Sequence, residues 1–271
     1  MPYVTAKDGT ALHYLDWGSG QPMLFVPSAW LPVQMWEHQL TDLTERGLRC
    51  VAYDRRGHGR SDAPWDGYDY DTLADDLAAL VDHLDLRDLT LVGHSAGGGE
   101  VVRYLTRHGA HRVRGIVLLA ATTPFPKRTA DNPHGVPAEL SAADAAYRAA
   151  DRPRWNAERA ASFFALDTNE VSPEQIEWFR DIIMRCTPRA HRATYATAFH
   201  TDLRDELRAL RVPTLVLHGD RDEQAPLEVC GRRAAELVPG SELRVYQGAA
   251  HGLFVTHAAR LNDDLHGFAT R

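Results

Sequence analysis

The sequence predicts an α/β fold in which a mostly parallel, eight-stranded sheet is covered by helices on both faces. Three observations carry this. Short strands that are apolar along their whole length alternate with amphipathic helices. That rhythm is interrupted once, by a largely helical stretch over 122–200, and then resumes to the C-terminus. Strands with no polar face must be buried on both sides, as in a parallel sheet between helical layers.

Taken in order, "YVTA", "ALHYLDW" and "MLFV" read as strands separated by the turn signals Asp8-Gly9 and Gly18-Ser19-Gly20. Residues 33–46 place Trp36, Leu40 and Leu43 at helical spacing, and "LRCVAYD" is a buried strand running into the polar turn "DRRGHGRSD". Over 71–84, Leu73, Leu77, Leu80, Val81 and Leu84 form one apolar stripe behind Asp71 as a plausible N-cap. "LTLVG" is the next strand, 96–108 a helix and "RGIVLLAA" a strand. Prolines then open the insertion, which holds nine aromatic residues from Phe125 to Phe199. In it "VSPEQIEWFRDIIM" has Ser172 as cap, Pro173 in the first turn and Gln175 completing a capping box. "VPTLVLHGD", a helix over 226–238 opened by Pro226, the strand "ELRVY" and a helix over 256–269 complete the chain. The expected division is a core domain of residues 1–121 and 201–271 with a cap of residues 122–200.

The 271 residues, 44% hydrophobic and 25% charged, are enough for a substantial core without staples. Three scattered cysteines with no CxxC pair indicate a reducing, cytoplasmic setting rather than a disulfide framework. No 18-residue apolar run is present, and a net charge of −7 without a basic block argues against membrane and nucleic-acid partners. No HExxH, CxxC or HxH arrangement suggests a metal.

Chemistry enters at "GHSAGGG". Gly93, Ser95 and Gly97 spell G-x-S-x-G, a common pattern alone, but here it follows a buried strand and opens a helix. That is the setting of a nucleophile elbow, a turn so tight that residues without side chains must flank the serine. Gly98 and Gly99 would let the helix approach the sheet. A serine hydroxyl needs a base, and the base needs an orienting carboxylate. Of fourteen histidines, His251 in "YQGAAHGLF" lies just past the last strand, between glycines and before a helix, at the catalytic end of such a sheet. His218 falls within a strand, and His94 points away from its neighbour Ser95. "VLHGDRDEQAP" offers two carboxylates, Asp220 and Asp222.

Together "DRRGHGRSD", "VGHSAGG", "LHGDRDEQAP" and "GAAHG", in the order Ser, Asp, His, resemble the α/β-hydrolases. More closely, "AKDGT", "DWGSGQP", "GGGEVVRYLTRHGAHRVRGIVLLAA" and "VTHAARLNDDL" resemble bacterial arylesterases and the related cofactor-free haloperoxidases, or perhydrolases. The resemblance implies carboxylic ester hydrolysis through an acyl-serine, with no metal or organic cofactor and a small-molecule ester-like substrate. It maps the acid to Asp222 and leaves a homo-oligomer open, since related enzymes often form one.

One motif departs. Where the family reads His-Gly-aromatic after the third strand, this chain has Pro27-Ser28-Ala29. The resemblance makes the Ala29 and Ala96 amides the oxyanion donors, and alanine at both positions should widen the pocket beside Ser95. Trp30, Phe125 and Leu253 are the candidate substrate contacts. Trp30 replaces the proline of haloperoxidase-like relatives, which favours ester, lactone or thioester hydrolysis over peracid chemistry. The rival readings are perhydrolase activity, an acyltransferase, lyase or cyclase on the same scaffold, and a binding module with a vestigial triad.

Overall fold

The structure is a computed structural model and describes residues 2–271. The eight expected strands are present: β1 (Tyr3–Thr5), β2 (Ala11–Trp17), β3 (Pro22–Val26), β4 (Arg49–Tyr53), β5 (Leu89–His94), β6 (Val113–Leu119), β7 (Thr214–Gly219) and β8 (Glu242–Tyr246). They form one sheet in the order β1-β2-β4-β3-β5-β6-β7-β8. The β1–β2 and β2–β4 pairs are antiparallel and every later pair is parallel.

Successive strand residues point to opposite faces, and the two faces bury different clusters. Leu24, Val26, Leu89, Leu91, Ile116 and Leu118 pack with helices Tyr70–His83 and Ala96–His108. Met23, Phe25, Val92, Val117, Leu119 and Leu215 pack with helices Glu37–Glu45 and Ala258–Ala269. This two-sided burial is why the strands are apolar throughout.

Between β6 and β7 run the helices Ala138–Ala150, Arg152–Phe164, Pro173–Met184, Pro188–His200 and Arg204–Ala209. Phe163, Phe164, Phe179, Ile182 and Ile183 join the second sheet-face cluster, so helices Arg152–Phe164 and Pro173–Met184 share the sheet's core, while Cys186 and Ala190 form a small separate cluster with Tyr68.

Several boundaries differ from expectation. Asp69, not Asp71, caps its helix, accepting from the Thr72 amide at 2.9 Å. The stretch after Pro226 makes only isolated turns, and the helix begins at Gly231, because Asp222 has already taken the Gln224 and Ala225 amides into a loop. The last helix is preceded by a separate turn of helix, Leu253–Thr256, and starts at Ala258. Ser172 does cap Pro173–Met184, accepting from the Gln175 amide at 3.1 Å.

The sheet's order reverses at β3, which lies between β4 and β5. The segments leaving the C-terminal ends of β3 and β5 therefore diverge to opposite sides, and the crevice between them is where open α/β sheets bind ligands.

Candidate active site

Ser95 sits in that crevice. It joins β5 to helix Ala96–His108 with φ 55° and ψ −121°, a conformation that strains any residue with a side chain. Such strain costs roughly 1–3 kcal/mol and persists only where neighbours over-determine it. Here the Ser95 amide donates to Leu119 O at 3.0 Å, and its carbonyl accepts from Gly98 and Thr122. The glycines have steric reasons. A Cβ on Gly93 would lie 2.5 Å from Gly97 O, and one on Gly97 would lie 2.6 Å from Val26 O. Gly98 makes room for Ala121 beside the sheet, as expected. Gly99 instead admits the ring of Tyr70, so it serves helix–helix contact rather than approach to the sheet.

His251 and Asp222 meet from the loops after β8 and β7. His251 Nδ1 donates to Asp222 Oδ2 at 2.7 Å, both side chains being almost fully buried. Asp222 Oδ1 accepts from the Gln224 and Ala225 amides at 2.9 and 2.8 Å. Burial alone would raise the Asp222 carboxyl pKa, but His251, His218 and the Ala225 amide hold it below the usual value. Asp220 does different work: it accepts from the Gly248 amide at 2.8 Å and ties the two loops together. Ser95 and His251 line one cavity of about 410 Å³, a volume suited to a small molecule. No direct hydrogen bond joins them among the described residues; such contacts often tighten only when substrate binds.

Ala29 and Ala96 line the same cavity. Arg55 determines how the Ala29 peptide lies. It donates to Pro27 O at 2.7 Å and to Ser28 O at 2.9 Å, while its Nε meets Glu100 at 2.8 Å. In a trans peptide the N–H opposes the carbonyl, so drawing Ser28 O towards Arg55 turns the Ala29 N–H the other way. His58 adds a second hold: its Nδ1 donates to Arg56 O at 2.8 Å and its Nε2 accepts from the Trp30 amide at 3.1 Å. That bond stabilises Trp30 at φ 73°. The loop "DRRGHGRSD" is thus the support of the loop after β3.

Of the candidate substrate contacts, only Trp30 lines the cavity, with its Nε1 donating to His191 O at 2.9 Å. Phe125 and Leu253 do not. Phe125 turns under the Arg204 guanidinium, 5.4 Å from its ring centre, and leaves the cavity to Pro126. Leu253 is fully buried in the sheet-face cluster because the helical turn it begins points inward.

Sequence reasoning passed over His94. Its Nε2 donates to His251 O at 3.0 Å and its ring packs 4.7 Å from the His251 ring. It also missed Arg55, Glu100 and His58 as supports. A charged residue directly after the three glycines that open a buried helix was the available signal for Glu100.

Four buried histidines are held neutral. Burial pushes His58 and His191 each down to about 3, and lowers His94 and His218. Unfolding returns each to about 6.5, so between these values the unfolded chain binds more protons and stability rises with pH. The contribution is complete above pH 6.5 and is lost as pH falls from there towards 3. Each such histidine adds a slope of roughly 1.4 kcal/mol per pH unit. The urea midpoint should therefore drop steeply from pH 7 to pH 5, and a flat profile would show that these rings are protonated in the folded protein.

Fold and site together define the class. A family model described as the alpha/beta hydrolase fold matches residues 21–258, and the chain belongs to that family. It is 41% identical over 272 residues to a non-heme haloperoxidase from Rhodococcus erythropolis, covering 99% of both chains. It is 36% identical over 274 residues to a bifunctional esterase/perhydrolase from Acinetobacter calcoaceticus, again covering 99% of each. Among solved structures, an esterase from Exiguobacterium antarcticum superposes with a TM-score of 0.95 at 30% identity over 99% of both chains.

Proposed function

We propose that the protein is a serine hydrolase that cleaves carboxylic esters of small molecules through an acyl-serine. The observation that carries this reading is the 2.7 Å bond from Asp222 to His251, which lines the same cavity that Ser95 lines from a strained elbow. His251 Nε2 takes the Ser95 proton as Oγ attacks the ester carbonyl, and Asp222 fixes the tautomer and steadies the imidazolium. The Ala96 and Ala29 amides stabilise the tetrahedral oxyanion. The C–O bond breaks, and the alcohol leaves with the proton from His251. Water, losing a proton to the same imidazole, attacks the acyl-serine, and the acid departs as Ser95 regains its proton.

Residues 122–200 act as a cap that supplies the far wall of the cavity and keeps bulk water from the acyl-enzyme. Three buried, unpaired cysteines fit a reducing, cytoplasmic location. The test is a panel of chromogenic esters of graded acyl length in ¹⁸O-labelled water, with hydrogen peroxide as a competing acceptor. Free acid carrying one solvent oxygen is the expected product. With alanines at positions 29 and 96 and a cavity of about 410 Å³, rates should peak beyond acetate. Transfer only to another acceptor, or a peak at acetate, would contradict the reading.

A further inference from the structure

The cap wall of the cavity carries an unbalanced charge. Asp144, on helix Ala138–Ala150, is a single carboxylate shared by Arg148 and Arg159. Its Oδ1 accepts from Trp155 Nε1 at 2.8 Å and from Arg159 Nη1 at 3.2 Å, and its Oδ2 meets Arg148 Nε at 3.0 Å. The Arg148 side chain is only 3% exposed, and its Nη1 has no hydrogen-bond partner. It lies 3.8 Å from the centre of the Tyr195 ring, so part of its compensation is an aromatic face rather than an anion. Arg159 lines the cavity itself, its guanidinium spread 4.9 Å over the Trp155 ring. Its side chain is 36% exposed, and its Nε is buried without a partner.

The Arg148 guanidinium is buried short of acceptors, which is costly, and the part-exposed Arg159 beside it opens on to the cavity, where a second anion would complete the set. The hydroxyls of Ser141 and Tyr195, 3.1 Å apart, both belong to residues of the same wall and add neutral donors. The other acidic residue of the cavity, Glu223, stands beside Asp222 at the triad end. It would repel an anion from that end and so favours one orientation of a ligand with a single charge.

We propose that this wall receives a carboxylate on the substrate, remote from the scissile ester, with Arg159 as the contacting residue and Arg148 behind it. The preferred substrates are then half-esters of dicarboxylic acids, or esters with a comparable anionic tail. This rests on the ester-hydrolase reading above and names its substrate class.

The kinetic test compares 4-nitrophenyl hemiadipate with the same ester capped as its methyl ester, following nitrophenol release. The anionic ester should have the higher kcat/KM by at least tenfold. That ratio should fall at least tenfold in Arg159→Gln and recover in part in Arg159→Lys. Because the ratio is taken within one protein, general damage to a variant cancels. A wild type that favours the capped ester, or a ratio unmoved by Arg159→Gln, overturns the proposal. Calorimetric titration with adipate provides a readout independent of turnover. Binding that Arg159→Gln weakens at least fivefold supports the anionic subsite even if neither ester is cleaved, in which case the hydrolase reading alone fails. Absent binding, or binding indifferent to Arg159, overturns the subsite.

Discussion

Replacing Ser95 by alanine should abolish fluorophosphonate labelling and lower kcat/KM for esters by about four to six orders of magnitude. The size follows from how the proposed triad operates. Removing the nucleophile alone costs nearly as much as removing all three members, because base and acid then have nothing to activate. Fold stability should change little. Alanine keeps the Cβ that the elbow already tolerates, and Ser95 makes its structural bonds through its backbone. The strained φ of 55° also remains, so no relief of the turn is expected. Urea unfolding with an unchanged midpoint, alongside lost labelling, separates a chemical role from a structural one. Labelling that persists in Ser95→Ala would place the nucleophile elsewhere.

The second large effect is expected from Arg55→Met. This side chain is 1% exposed and meets Glu100, itself fully buried, while also holding the Pro27 and Ser28 carbonyls. Removing one partner of a buried ion pair leaves an uncompensated charge, typically costing about 3–5 kcal/mol. It also frees the peptide whose N–H is the proposed second oxyanion donor. Loss of one such donor costs about 2.7–4 kcal/mol, or 100- to 1,000-fold in rate. The two consequences separate in Arg55→Met/Glu100→Leu. The double variant should recover most of the urea midpoint, because no lone charge remains, but not the activity, because the Ser28 carbonyl is still unheld. Recovery of both would reduce the pair to a packing element, and normal kinetics in Arg55→Met would remove Arg55 from any part in catalysis.

How much was legible beforehand differs with the range of the forces involved. The eight strands could be read because burial on both faces demands continuous apolar residues, a local and periodic signature. The Ser95 elbow was readable for a similar reason: Gly93 and Gly97 are required by backbone atoms only a few residues away or on the adjoining strand. Helix starts were less secure. Asp69 and Asp71 are equally good caps by type, and only the path of the chain from Tyr68 chooses between them. Phe125 and Leu253 were misplaced because an aromatic or aliphatic side chain carries no mark of whether it faces a core or a cavity.

By itself, then, the sequence determined the alternation of strand and helix, the elbow, and the short set of residue types able to do acyl-transfer chemistry. Those depend on backbone sterics, hydrophobic periodicity and functional-group reactivity, all properties of neighbouring residues. The resemblance had pointed to Asp222, but tertiary structure alone set its 2.7 Å bond to His251 and gave Asp220 the Gly248 amide, and it alone decided that Arg55 orients the Ala29 peptide across 26 residues of chain and that two arginines share Asp144. Each is a contact a few ångströms long between segments brought together by the sheet order, and hydrogen bonds of that length have no counterpart in linear spacing.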